Sequence, residues 1–408
     1  MKILYVHQYF KTLEGAGGSR SFEFAKSLTD AGHQVTMLCS SSKNRRMGLR
    51  GSFKKGKRVN LIENIKVVQF EIDYSTHDDL LERTKKFLKF SLRTVKSVFS
   101  EDYDLIFCSS TPLTVAVPGI LAKVFRRKKF VFEVRDLWPE LPRAMGLVKN
   151  PFILAAMSLL EWTAYNTADS CIGLSPGMVE GIKKRLSNKK KKVALIPNGS
   201  DIELFKEADG SFEHINDINK NDFLAVFTGA HGIANGLDTV LDACKILKDM
   251  NISDIKILFV GDGNKKKDLM SRKEKEGLDN CIFIDPVPKN QIPAIVKKAD
   301  LGLMILKNIP EFYRGTSPNK FFDYLAAGIP VLNNYPGWVA EMIKDNDCGY
   351  VVEPDKPELF AQALLKAKVD KNTGSFEQKG KNAFKLAEEK FDRNILSKKF
   401  VDLIESSL

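Results

Sequence analysis

Residues 313–331 read Y-R-G-T-S-P-N-K-F-F-D-Y-L-A-A-G-I-P-V. The run opens on small and polar residues, Gly315, Thr316, Ser317, Pro318 and Asn319. Ser317 ahead of Pro318 predicts a helix N-cap followed by the first helical position. Phe321, Phe322, Leu325 and Ala326 share one helical face. Gly328 predicts the stop, and Pro330 the start of the next element. Backbone N–H groups at such a helix start attract an anion, and Arg314 and Lys320 add positive charge. Asp323, one turn further in, is placed to reach a polar part of the same ligand. A phosphate carrying a ribose fits this arrangement, and so does an ordinary capped helix of an α/β domain.

Outward from this run the same grammar repeats. Lys2 to Phe10 reads as a buried strand leading into T-L-E-G-A-G-G-S-R, then a helix marked by Phe22, Phe24, Ala25 and Leu28, then a strand at Val35–Cys39. Gly15, Gly17 and Gly18 let backbone approach a phosphate or sugar closely. The loop is neither a dinucleotide fingerprint, whose third glycine would fall at Arg20, nor a Walker A loop, which needs G-K-[ST]. Asp104–Ser109 and Lys129–Val134 read as strands that end in S-S-T-P and R-D-L-W-P-E. Ser170–Leu174 leads into a capped S-P-G, and Val193–Ile196 into P-N-G-S-D. Leu224–Thr228, Ile255–Val260, Cys281–Asp285 and Ala299–Ile305 continue the alternation. It predicts an α/β chain of two doubly wound parallel sheets with a cleft between them. Polar side chains at strand carboxyl ends, such as Arg135 and Asp136, mark the ligand crevice of an open sheet. An N-cap at Asp136 is the structural alternative.

S-P-N-K-F-F-D-Y, R-D-L-W-P and I-P-N-G together resemble retaining, nucleotide-sugar-dependent glycosyltransferases of the GT-B type, in particular bacterial N-acetyl-L-fucosaminyltransferases of O-antigen and capsule assembly. The resemblance runs along nearly the whole chain. It implies an N-terminal acceptor-side domain over 1–197, a nucleotide-sugar domain over 198–390 and a final helix over 391–408 that crosses back to the first. It implies a UDP-sugar donor, with N-acetyl-L-fucosamine or a related 6-deoxy sugar transferred, and a polyprenyl-diphosphate-linked saccharide as acceptor. Donor contacts would come from Gly17, Gly18, Arg20, Gly229, His231, Gly261, Val287, Arg314, Ser317, Asn319, Lys320 and Asp323. Asp323 stands where the family has a ribose-binding glutamate, and Gly315 where it has a second glutamate. Arg135-Asp136 stands where the family commonly has His-Asp, with Asp136 and Arg135 as the catalytic pair. The family's diphosphate-gripping Arg and Lys align with Ala230 and Asn235, so Lys320 and the turn before it must carry more of that task. The D-x-D pairs Asp102/Asp104 and Asp345/Asp347 do not open on the expected crevice. Donor binding without a metal or other cofactor is the expectation.

Composition bounds the partners. The 408 residues carry a net charge of +12. Residues 1–200 hold 34 Lys and Arg against 18 Asp and Glu, whereas the remainder is slightly acidic. A basic half implies an anionic partner, nucleic acid or an acidic membrane surface. Arg45 to Arg58 reads as a basic loop, and Asp209–Asn221 as an exposed acidic one. Leu81–Phe99 predicts an amphipathic helix whose apolar stripe is Leu81, Leu88, Leu92, Val95 and Phe99, flanked by Lys85, Lys86, Lys89, Arg93 and Lys96. A solvated charged face or a seat on anionic lipid both fit it. No run reaches the ~18 apolar residues of a membrane span. The six cysteines are scattered without a C-x-x-C pair, as in a reduced compartment. With the resemblance, these imply the inner face of a bacterial plasma membrane, with no nucleic acid as partner; a non-catalytic anion-binding protein, such as a nucleic-acid binder that exploits the basic half, is the rival reading. A nucleotide-dependent epimerase or dehydrogenase is disfavoured by the incomplete glycine fingerprint and by the lack of a Tyr-x-x-x-Lys pair.

Overall fold

The computed structural model of the chain describes residues 1–407 apart from 43–46, 48, 76–77 and 210–217. The chain divides into two compact units. One holds Met1–Pro197, Arg314–Ser317 and Asn394–Leu408; the other holds Asn198–Tyr313 and Pro318–Arg393.

The first unit is built on eight strands: β1 (Lys2–Val6), β2 (Gln34–Ser42), β3 (Lys57–Ile62), β4 (Ile65–Tyr74), β5 (Leu105–Ser109), β6 (Lys129–Val134), β7 (Ser170–Gly173) and β8 (Lys192–Leu195). Their order is β3-β4-β2-β1-β5-β6-β7-β8, parallel throughout except for the β3–β4 hairpin. β5 (L-I-F-C-S) is buried along its whole length, because helices cover both faces of a parallel sheet. On one face the core gathers Phe90, Val98, Phe130 and Tyr165. On the other, Phe24 and Phe107 pack with Leu396, Phe400, Leu403 and Ile404 of the helix Arg393–Glu405. The Phe24 and Phe400 rings stack at 4.2 Å.

The second unit is a six-stranded, fully parallel sheet: β9 (Phe223–Thr228), β10 (Ile255–Val260), β11 (Cys281–Ile284), β12 (Leu301–Met304), β13 (Val331–Asn333) and β14 (Gly349–Val351), in the order β11-β10-β9-β12-β13-β14. Strand order reverses between β9 and β12, as it does between β1 and β5 in the first sheet. Open α/β sheets bind ligands outside the carboxyl ends of their strands at such a reversal.

Several local expectations change. The helix after the opening run spans Asn319–Ala327 with Pro318, one residue later than expected, at its N-cap position; Gly328 ends it in the left-handed conformation at φ 69°. Lys57 and Arg58, read as loop, begin β3, while Arg45 and Arg46 lie outside the described residues, as does most of Asp209–Asn221. The helix Leu80–Ser100 forms, capped by Asp79, whose side chain accepts from Glu82 N. It buries Phe90, Ser91, Thr94 and Val98, and leaves Leu81, Leu88, Leu92 and Phe99 exposed. The inward side is fixed by Phe90, which meets Phe70 of β4 edge-on at 6.2 Å.

Candidate functional site

In the second unit, the carboxyl ends of β9, β10 and β11 and the start of the helix Asn319–Ala327 bring the expected residues together. Gly229 follows β9 at φ 141° and Gly261 follows β10 at φ 152°. A Cβ on Gly261 would lie 1.9 Å from the Gly229 carbonyl oxygen, so the two turns touch backbone to backbone. Lys320 crosses from the helix start to this point. Its Nζ sits 3.7 Å from the centre of the Phe227 ring and donates to Asn235 Oδ1 at 3.2 Å. A Cβ on Gly229 would crowd that ammonium at 3.3 Å. Asn235 is the position that the resemblance sets against the family's diphosphate lysine, and the lysine of the opening run meets it from another element. Burial pulls the Lys320 pKa down to about 7. Among the described residues no carboxylate pairs with it.

His231 is fully buried beside the Phe227, Phe259 and Phe283 rings, and both its ring nitrogens lack a hydrogen-bond partner among the described residues. Burial, with help from Lys266 and Lys320, lowers its pKa to about 4, so the imidazole is neutral near pH 7. Sequence reasoning missed Lys266, which donates to the carbonyls of Gly261 and Ile284 and to Asp285, and so ties the turns after β10 and β11. Val287, in the turn after β11, is half-buried.

Two residues assigned to the donor are engaged elsewhere. Asp323 is 5% exposed and pairs with Lys289 at 2.5 Å. Lys289 also faces Asp201 at 3.7 Å, and Arg393 binds Asp201 at 2.7 Å. Two carboxylates and two cations thus form a charge-balanced cluster inside this unit. Burial raises the Asp323 pKa, with Lys289 opposing it; at Asp201 the attraction of Arg393 and Lys289 outweighs burial, and its pKa is lowered. Arg20 is the second of these. Its guanidinium is 1% exposed and donates twice to Glu133 Oε2, at 2.9 and 2.7 Å, and to the carbonyls of Ile196 and Pro197. Arg20 thereby ties the start of the first helix to β6 and to the chain after β8.

The glycine-rich loop ends beside this pair. Gly17 (φ 116°) and Gly18 are exposed, and Lys11 donates to Ala16 O at 2.6 Å, close to where a Gly17 Cβ would stand. Arg314 and Ser317 group with the first unit, where the Arg314 carbonyl accepts from Ser175 Oγ at 2.9 Å.

In the first unit a second cluster stands at the carboxyl ends of β1, β5 and β6. The R-D-L-W-P segment is pinned at both ends, Arg135 N donating to Ser110 Oγ and Trp138 N to the buried Glu161. Thr111 Oγ1 donates to Asp136 Oδ2. Burial raises the Asp136 pKa, opposed by Thr111 and Arg135. The next helix begins at Glu140 with Pro139 as its N-cap, so Asp136 caps nothing there. The D-x-D pairs lie away from both clusters: Asp102 and Asp104 hold Lys2 at the amino end of β1, and Asp347 pairs with Lys379.

Comparison with known proteins bears on the family and the fold. Residues 17–204 match the family described as Glycosyltransferase Family 4, and residues 211–385 the one described as Glycosyl transferases group 1. TuaH of Bacillus subtilis (strain 168), described as a teichuronic acid biosynthesis glycosyltransferase, is 25% identical over 61% of this chain and 61% of its own. WcaI of Escherichia coli (strain K12), described as a colanic acid biosynthesis glycosyl transferase, is 25% identical over 53% of this chain and 54% of its own. The chain thus spans between half and two thirds of the length of these relatives. Sucrose-phosphate synthase of Thermosynechococcus elongatus superposes with a TM-score of 0.77 at 15% identity, covering 99% of this chain and 98% of that one. Anabaena HepE in complex with UDP-glucose gives 0.68 at 18% identity over 100% of both. Both likenesses show the GT-B fold. On that fold, residues 17–204 match one glycosyltransferase domain family and residues 211–385 match another, in that order along the chain.

Proposed function

We propose that the chain transfers a sugar from a UDP-sugar to a polyprenyl-diphosphate-linked saccharide during assembly of a cell-surface polysaccharide, with retention of configuration and without a metal ion. The observation that carries this reading is Lys320. A partly buried cation without an anionic partner is costly. This one lies at a strand carboxyl end beside a helix N-terminus, where a diphosphate would supply the missing charge. Neutral His231, two turns whose backbones touch, and Asn319 at the helix start surround the same point. The sugar would be N-acetyl-L-fucosamine or a related 6-deoxy-N-acetylhexosamine, a choice that rests on the resemblance of the opening run. The polysaccharide would be an O-antigen or capsule. The relatives named above, described as acting in teichuronic and colanic acid biosynthesis, support that class of product.

The charge state of Lys320 gives the test. With a pKa of about 7 when empty, Lys320 is mostly neutral above that pH, and a bound diphosphate must restore its proton. UDP affinity should therefore fall as pH rises from 7 to 9, by up to about tenfold per unit. Lys320→Ala should bind UDP more weakly and without this pH dependence, while uridine binds both forms alike. Calorimetry that finds UDP affinity flat with pH and unchanged in Lys320→Ala would overturn the assignment.

The acceptor lipid implies an anionic membrane surface as partner, at the inner face of the plasma membrane. No helix among the described residues is long and apolar enough to cross a membrane. Two helices of the first unit instead turn apolar faces outward. In Leu80–Ser100, Leu92 is 72% exposed and stands among exposed Lys85, Lys89, Arg93 and Lys96. In Pro151–Thr167, Phe152 is 83% exposed and Leu159 and Trp162 are exposed too, while the helix's one charged residue, Glu161, is buried. Apolar residues flanked by cations suit the interface of an anionic bilayer. Replacing Lys85 and Lys89 together by Gln should weaken binding to phosphatidylglycerol vesicles by up to about 2 kcal/mol, about 1 per charge, with thermal stability unchanged. If the unmodified protein does not float with such vesicles at low salt, the outward faces serve something else.

A further inference from the structure

His7 stands at the carboxyl end of β1, next to the reversal point of the first sheet, and is 2% exposed. Its Nδ1 lies 3.1 Å from the carbonyl oxygen of Ser109, the last residue of β5. Its Nε2 lies 3.2 Å from Nη1 of Arg135, which follows β6. β1, β5 and β6 are consecutive in the sheet, so one imidazole spans three strand ends. The proton positions follow from the partners. A carbonyl oxygen only accepts, so Nδ1 carries the hydrogen and donates. A guanidinium nitrogen only donates, so Nε2 presents its lone pair. Both bonds are satisfied by the neutral ring with its hydrogen on Nδ1. Protonation would place N–H against N–H.

We propose that His7 is the positioning residue for Arg135, accepting a hydrogen bond that aims its guanidinium outward from the strand ends. This rests on the reading of Arg135 as the group that offsets charge on the departing diphosphate. A guanidinium at the end of a long side chain is mobile unless held. Among the described residues, His7 is the hydrogen-bonding partner of the Arg135 guanidinium. The groups around the imidazole are Arg135, Lys11 and Glu133, with the Tyr9 ring at 6.2 Å. Burial first, then Arg135, lowers the His7 pKa to about 3, against the Ser109 bond and Glu133. His7 is therefore a fixed acceptor near neutral pH and takes no part as acid or base.

The two amide substitutes of histidine separate its two nitrogens. Gln places its amide oxygen near Nε2, and Asn near Nδ1. His7→Gln should hold Arg135 and retain most of kcat. His7→Asn should lose it and lower kcat about tenfold or more, the worth of a hydrogen bond to a charged group. Affinity for UDP and thermal stability, measured on the full chain, should be alike in both. Equal kcat in both variants would overturn the proposal, as would a kcat–pH inflection near about 6.5 that both variants abolish. A readout free of turnover covers the case in which no UDP-sugar is processed. Nitrogen NMR of imidazole-labelled protein, with the His7 signal assigned by its loss in His7→Gln, should show an unprotonated Nε2 from pH 5 to 8, about 1.5 units either side of the usual histidine pKa. An Arg135→Ala background should shift that signal. A ring that carries its hydrogen on Nε2, or that ignores Arg135, would overturn the contact itself. Failure of the UDP titration in the second unit would count against the donor reading alone.

Discussion

Asp136→Asn is expected to lower kcat on the order of 10²-fold or more and to leave UDP affinity and thermal stability nearly unchanged. Asn keeps the shape of the side chain, and its amide oxygen can still accept from Thr111 Oγ1. What it loses is the negative charge, which in the proposed transfer would hold the acceptor hydroxyl in its reactive orientation. Capping a helix would be served as well by Asn, but the helix after Asp136 starts four residues later under another cap. Because burial raises the Asp136 pKa, the active, ionised form should be lost on acidification at a higher pH than an ordinary carboxylate would show. Steady-state kinetics of the variant against pH, beside its melting curve, test both parts. Wild-type turnover in a stably folded Asp136→Asn would remove this residue from the reaction.

The other large effect is on stability. Glu133 and Arg20 are each about 1% exposed or less, and Ser109 Oγ donates to the second carboxylate oxygen at 2.6 Å. Glu133→Ala should leave a guanidinium buried against carbonyls alone, costing about 3–5 kcal/mol. The unfolding transition of the first unit should move accordingly in urea. Burial alone would raise the Glu133 pKa, but Arg20, with Arg135 and the Ser109 hydroxyl, outweighs it and the net shift is downward. The stabilisation is therefore complete above the unfolded carboxylate pKa and is lost as pH falls through the lower, folded value. Replacing both partners by apolar residues of similar size should recover much of the loss. If Glu133→Ala unfolds at the wild-type urea concentration, the pair contributes nothing net.

What was legible in the sequence follows from the range of the interactions involved. β6 and β10 fall where the sequence reading puts them, at Lys129–Val134 and Ile255–Val260, because a parallel strand covered on both faces is rich in apolar residues, Phe130–Phe132 and Ile257–Val260 here. Gly328 marks a helix end because a left-handed residue there is a local demand. β3 was not legible: K-R-V-N-L-I is a polar edge strand that leaves Leu61 exposed, and its pairing with β4 rather than its composition makes it a strand. Periodicity found the helix Leu80–Ser100 but not which side faces the sheet, since the Phe90 face carries Ser91 and Thr94 inward and a more apolar stripe outward. Arg20 and Asp323 were read by their neighbours in the chain. Their fates were decided by Glu133, 113 residues away, and Lys289, 34 residues away, and no local pattern announces a distant counterion. His7 was passed over because the end of a first strand looks the same whether or not its side chain turns toward a neighbour.

The last helix has a consequence for the order in which the protein is made. Phe400 stacks on Phe24 inside the first unit, and Leu396, Leu403 and Ile404 complete the same core. Those residues leave the ribosome after every strand of both sheets. Until then, Phe24 and Phe107 lack their cover, and the N-terminal sheet waits with an open apolar side through the synthesis of some two hundred further residues. Domains usually fold as they emerge. Here the second unit can close first, and the earlier-made unit is finished by the end of the chain. Nascent chains that stall shortly before Arg393 would carry an unsealed first domain, the kind of surface on which holding chaperones act.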